Sequence, residues 1–288
     1  MSHPLLIISI FKSIKTLISL SILISISLFL HSCSEVIEID VIDAESEIVI
    51  EGSVANNGDS SIIKITKSVN LYADNIFPTV NNALVILSDN FGNRDTLIET
   101  SSGSYKSNYI FGQIGATYSL EVQTENKILS STSTIQNQVN FDSLIIKENL
   151  ASGGPGPGGP GGGTPGEIRY QDFVVFQDPP NEKNYYRFVE YVNGVQKSKI
   201  YISDDRLTDG LTNTLELRNS RKYLSGDLVS FEMQCIEKAV YDYFNSFENL
   251  NGGPQSSSTP ANPYTNISGS KLGYFSAHTV QRISYTIP

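Results

Sequence analysis

The reactive group that is most legible in this chain is the thiol of Cys33. Leu30-His31-Ser32-Cys33 places a branched apolar residue three positions before a cysteine and a small residue directly before it, the pattern of a lipobox. An apolar Leu/Ile/Ser run from Thr16 to Leu30 precedes it, and Lys12 and Lys15 precede that. A positive n-region, an apolar h-region and a small residue before the cleavage point are the three parts of a secretory leader, so residues 1–32 are expected to be removed. Cys33 is then the lipid-attachment residue and residues 33–45 an acidic-apolar tether. Each buried methylene adds about 0.8 kcal/mol of membrane affinity, so two or three acyl chains make attachment effectively permanent. The competing reading is a transmembrane anchor. Its h-region falls short of the roughly 20 apolar residues that a span needs, and Ser19, Ser21, Ser25 and Ser27 dilute it.

Few other residues can do chemistry. Of three histidines, His3 and His31 lie in the leader, and of two cysteines only Cys235 lies beyond the lipobox. One histidine and one cysteine cannot form a His-rich or Cys-cluster zinc site. A nucleophile-elbow motif is missing too, so His278 is expected to be a structural histidine, exposed or half-buried. Cys235 sits in an alternating stretch and is expected to be a buried strand residue. No catalytic residue, metal ligand or cofactor is assigned, and the chain is not expected to be an enzyme. Ser203-Asp204-Asp205-Arg206-Leu207-Thr208-Asp209-Gly210 gathers acids near a glycine but departs from calcium-loop spacing, so it is read as a polar turn. Asp178-Pro179-Pro180 with Asn184-Tyr185-Tyr186-Arg187 is read as a turn and a strand whose Arg187 pairs with a carboxylate. The chain holds 15 Tyr and 13 Phe but no Trp. Tyr264, Tyr274 and Phe275 are the candidate ligand patch, suited to a small molecule or a glycan.

Charge narrows the partners. The chain has 20 Lys+Arg against 30 Asp+Glu, a net charge of −10. Nucleic-acid binding needs grouped cations to neutralise phosphates, and no such group occurs, so nucleic acid is excluded as a partner.

The elements that must position these residues are strands. Segments 47–54, 61–69, 83–88, 94–99, 104–110, 117–124 and 127–134 are short, rich in Ile, Val, Thr and Tyr, and divided by turns such as Asn57-Gly58-Asp59. Ile63 and Ile65 are expected on one face, with Ile62, Lys64 and Thr66 on the other. Residues 46–137 are therefore assigned to an immunoglobulin-like β-sandwich. Gly112 and Gly115 precede Tyr118-Ser119-Leu120-Glu121-Val122, the pattern of a tyrosine corner. There the phenol bonds back to the backbone while Tyr118, Leu120 and Val122 point inward.

Residues 138–288 are assigned to a second antiparallel β domain, barrel or sandwich, carrying one helix. Ala151 to Gly166 is almost entirely Gly and Pro, which raises the entropy of ordering and offers no apolar surface in return. It is read as a disordered loop, 151–166, inserted in a hairpin. Asn193-Gly194 signals a tight hairpin. Val240, Phe244, Phe247 and Leu250 recur at helical spacing, and one last strand is expected over 272–285.

Several landmarks carry a family resemblance. They are Glu51-Gly52 after Ile48-Val49-Ile50, Phe176-Gln177-Asp178-Pro179 with Asn184-Tyr185-Tyr186-Arg187, Gly226-Asp227, Tyr241-Asp242-Tyr243, and Pro260-Ala261-Asn262-Pro263 through Asn266-Ile267 to Leu272-Gly273-Tyr274-Phe275. Together they resemble the domain-of-unknown-function 4249 family of bacterial outer-membrane lipoproteins. The resemblance implies an outer-membrane, lipid-anchored protein, on the periplasmic or the cell-surface face, that accompanies a TonB-dependent receptor in nutrient uptake. It supplies no catalytic residues. A surface hydrolase and a purely structural envelope protein are the alternatives.

Overall fold

The computed structural model describes residues 46–70, 74, 76–124, 126–150, 168–250 and 263–288. The leader, the tether with Cys33 and the loop 151–166 lie outside the described residues.

Alternation of apolar and polar side chains builds the first sandwich. In β1 (Ile48–Ala55) Ile48, Ile50, Gly52 and Val54 face inward, while Glu51 between them is exposed. In β2 (Ile62–Lys67) Ile63 and Ile65 are buried while Ile62 and Lys64 are exposed, as the sequence period requires. The other strands are β3 (Leu84–Asp89), β4 (Arg94–Thr96), β5 (Ile98–Ser101), β6 (Ser104–Lys106), β7 (Thr117–Gln123) and β8 (Ile128–Thr134). One sheet runs β1-β2-β6-β5 and the facing sheet β4-β3-β7-β8, the two-sheet order of an immunoglobulin-like sandwich. The expected strand over 94–99 is two strands. Leu97, 5% exposed, turns the chain from the β3 sheet into the β6 sheet. Residues 107–110, expected to extend β6, form a loop instead. Buried Asp95 holds it by accepting Ser107 Oγ and Asn108 N at 2.7 Å each.

The tyrosine corner is present. Tyr118 Oη donates to Phe111 O at 3.0 Å and accepts Gln113 N at 2.8 Å, and Tyr118, Leu120 and Val122 are all buried.

A second sandwich follows. One sheet contains β9 (Phe141–Leu150), β10 (Ile168–Gln177) and β14 (Thr212–Arg221). The other contains β11 (Tyr185–Val192), β12 (Val195–Gln196), β13 (Tyr201–Asp204), β15 (Leu228–Cys235) and β17 (Gln281–Thr286). These sheets enclose their own core of Val174, Phe176, Phe188, Phe231 and Met233, and they do not close into a barrel. β9 and β10 pair as far as Leu150 and Ile168, so the Gly/Pro segment joins the two arms of a hairpin. Asn193 and Gly194 both take positive φ between β11 and β12, the geometry of a type I′ turn. Helix α1 (Lys238–Leu250) presents Val240, Tyr243 and Phe244 to the interior.

The expected last strand over 272–285 is corrected to two strands in different sheets. β16 (Leu272–His278) pairs parallel to β1 at the margin of the first sandwich, and β17 pairs with β15 in the second. Ile267, Phe275 and Ala277 complete the first core. The 138–288 boundary is corrected accordingly, because residues 266–278 belong structurally with 46–137. Gly273 shows the closeness of the fit: its φ is +101°, and a Cβ there would lie 2.1 Å from Ile50 O. The described residues form one compact unit.

Candidate functional site

The residues proposed as a ligand patch are separated. Successive side chains of a strand point to opposite faces, so Tyr274 and Phe275 cannot share one. Phe275 is fully buried in the first core. Tyr274 is roofed by the helix, its ring 4.8 Å from Tyr243 and 4.9 Å from Phe244. Tyr264 alone is open, at 72% exposed.

His278 is buried, not exposed or half-buried, because the chain crosses here from one sandwich to the other. Ala277 N bonds Ser133 Oγ at 2.8 Å and Cys235 N bonds Thr279 Oγ1 at 3.1 Å. Burial, helped by the nearby Arg187 charge, pushes the His278 imidazole down to about 3, and its Nδ1 lies 2.9 Å from Ser276 Oγ. Cys235 is a buried strand residue whose thiol is pushed up by burial. Arg187 has no carboxylate partner among the described residues. It donates to Gln234 Oε1 at 3.2 Å and lies over the Phe244 ring at 4.1 Å, contacts that a planar guanidinium favours.

A network of charged side chains crosses the interior of the second sandwich. Asp172 and Glu190, both essentially unexposed, share the phenol of Tyr223, at 2.8 Å and 3.4 Å. Arg221 bonds Glu190 and lies 2.6 Å from Tyr201 Oη. Burial, reinforced by the Glu190 charge, pushes the Asp172 carboxyl up to about 6. Among the described residues, Asp172 Oδ1 and Arg221 Nε have no hydrogen-bond partner.

The strongest convergence of polar groups lies at one end of the second sandwich. Two loops meet there, one joining β10 to β11 and the other joining β13 to β14. Asp178 N donates to Leu211 O at 3.0 Å, and Gly210, at φ +72°, brings its backbone against Pro180. Three carboxylates converge: oxygens of Asp178, Asp205 and Asp209 all lie within 4.8 Å of one another. Backbone amides anchor each of them. Gly210 N reaches Asp178 Oδ2 at 3.1 Å, Asn184 N reaches Asp205 Oδ2 at 2.8 Å, and Asn181 N reaches Asp209 Oδ1 at 2.8 Å. Asp178 also accepts the Tyr186 phenol. Burial raises the Asp178 carboxyl above its ordinary value, and the charges of Asp205 and Asp209 add to that. A solvent-open hollow of about 580 Å³ borders Asp205 and Asp209. Chemically this is a set of hard oxygen donors. In the sequence the two halves lie in separate turns, and their convergence depends on strand order that no local spacing encodes.

Residues 34–284 match the model of a family described as a domain of unknown function, DUF4249. No curated protein matches the chain.

Proposed function

The chain belongs to the DUF4249 family, and from that premise we propose that it is a lipid-anchored outer-membrane protein that accompanies a TonB-dependent receptor in nutrient uptake, by holding cargo or by packing on the receptor. The observation that carries this reading is the Leu30-His31-Ser32-Cys33 sequence at the end of an apolar leader. The family match begins at residue 34, directly after the cysteine, which supports a mature chain that starts at the processing point. The two β-sandwiches, with a helix that turns Val240, Tyr243 and Phe244 inward, suit a rigid module held on a leash, since the acyl chains supply the membrane affinity and the module need not. Among the described residues no helix is long and apolar enough to cross a membrane. The test is mass spectrometry of the N-terminal peptide together with fractionation of a Cys33→Ala variant. The reading expects acyl chains on Cys33, loss of membrane association in the variant, and recovery of a TonB-dependent receptor after gentle crosslinking. An unmodified thiol, or a protein recovered alone, would count against it.

A further inference from the structure

The geometry points to a calcium-binding site formed by Asp178, Asp205, Asp209 and the side-chain oxygen of Asn184. Two independent observations meet there. The first is the set of three carboxylate oxygens within 4.8 Å of one another, drawn from two loops. Asp178 and Asp205 are buried, and among the described residues no Lys or Arg nitrogen lies within ion-pair distance of any of the three. Like charges this close, with two of them shielded from water, are relieved either by a bound proton or by a counter-charge. Arg206 and Lys238 line the adjoining hollow, but Arg206 Nε is held by Asp204 at 2.8 Å and Lys238 Nζ by Asp242 at 2.6 Å.

The second observation is Asn184. It is 9% exposed, its backbone N–H is bonded to Asp205, and its Oδ1 is closed off from solvent with no hydrogen-bond donor. A buried amide oxygen left without a donor costs about 1–3 kcal/mol unless something else satisfies it. Asn184 joins the cluster through its backbone N–H on Asp205, and an oxygen-coordinated cation there would satisfy its orphan oxygen as well. Asp205 Oδ1 and Asp209 Oδ2 accept no hydrogen bond from the described residues and stay available, while both oxygens of Asp178 already accept one, from the Tyr186 phenol and from Gly210 N.

The donor set selects the ion. All four donors are oxygens, which suits Ca²⁺ or Mg²⁺ and not a thiolate- or imidazole-seeking metal. Oxygens no more than 4.8 Å apart can all reach one central ion, and donors fixed by loop backbone beside a hollow open to water suit calcium, which takes about six to eight oxygens in flexible geometry, where magnesium demands a near-ideal octahedron. Two to four further oxygens would come from water in the open hollow. A partly open site of this kind belongs with extracellular modules, which bind calcium at about 10⁻⁴–10⁻³ M. The inference stands whether or not Cys33 is acylated.

The test uses the full chain, washed with EDTA and titrated with calcium chloride alone. The expected result is a saturable rise in melting temperature, about 5–10 °C at calcium 100-fold above Kd, reversed by EDTA. Terbium luminescence sensitised by tyrosine should saturate and be displaced by calcium, because Tyr186 sits on Asp178. Asp209→Asn, at an exposed position, should weaken calcium at least tenfold. Asp59→Asn, altering an exposed acid in the turn between β1 and β2 of the first sandwich, should leave affinity unchanged. No thermal shift and no heat of binding at about 10 mM calcium, tenfold above the weakest expected Kd, overturns the site. So does an equal response to magnesium, or unchanged affinity in Asp209→Asn. Should that variant fail to fold, the EDTA-reversible shift of the unmodified chain decides the question alone.

Discussion

Replacing Phe275 with alanine separates its two assigned roles, ligand contact and core. The ring is fully buried and packs with the first sandwich's core, yet it is contributed by a strand near the end of the chain. Its neighbours include Gly52, where a Cβ would come within 3.0 Å of the Phe275 ring and 2.7 Å of Ile63, so the ring occupies space that only glycine leaves open. Truncating a buried Phe to Ala removes the transfer free energy of the ring and leaves a cavity, together about 3–5 kcal/mol. For a unit of this size 1 kcal/mol moves the melting temperature by about 2–4 °C, so the expected loss is about 6–20 °C. Thermal and urea melts followed by far-ultraviolet circular dichroism measure it, with Tyr264→Ala, at a 72% exposed residue, as the control within about 0.5 kcal/mol of the parent. A Phe275→Ala protein within 1 kcal/mol of the parent would refute the placement of β16 against β1.

Tyr118→Phe deletes the phenol that accepts Gln113 N and donates to Phe111 O. The variant should lose about 1–3 kcal/mol by urea melts, and an unchanged midpoint would mean the corner is not structural. Asp172 sets a pH dependence. Its carboxyl is pushed up to about 6 in the folded chain against 3.8 ordinarily, so between those values the native state holds the extra proton. Stability should therefore fall as pH rises from about 4 to about 6, by up to about 3 kcal/mol. Asp172→Asn should flatten that part of the profile while keeping an acceptor for Tyr223, and an undiminished slope in urea melts across pH 4–7 would reject the assignment.

Much of this architecture was legible because period-two alternation is local. Ile63 and Ile65, Tyr118 through Val122, and the Asn193-Gly194 turn all follow from side chains a few residues apart. Leu97 was not legible as a corner, since a strand that changes sheets has the same composition as one that continues. Thr279-Val280 carries no glycine or proline, so the break between β16 and β17 left no mark either. The separation of Tyr274 from Phe275 could have been foreseen, because adjacent residues of any strand face opposite ways. Convergence of Asp178 with Asp205 and Asp209 could not: it depends on which strands neighbour one another, and pairing carries almost no sequence signal.

The parallel pairing of β16 with β1 has a consequence for how the chain comes to function. Ser270 Oγ donates to Ile48 O at 2.6 Å across 222 residues of sequence, and Ile267, Phe275 and Ala277 fill a core whose other members lie before residue 140. On the opposite margin Ser268 bridges Ser130, and Asn266 O accepts Ser131 Oγ at 2.7 Å. The segment therefore seals the side of the first sandwich between β1 and β8, and before it arrives both edges and the apolar interior between them are open. Contacts this distant in sequence form late, because the loop they close must be ordered before they stabilise anything. A chain exported from its N-terminus would thus carry an unsealed first sandwich until its last residues emerge. In that interval it has the exposed strand edges that favour mispairing. Ser270 Oγ on Ile48 O, the backbone bridge between Ser268 and Ser130, and Ser131 Oγ on Asn266 O close those edges by directed hydrogen bonds, while the Asn266 side chain bonds Phe275 N and O; together they fix the register of β16 where apolar contact alone would let it slide.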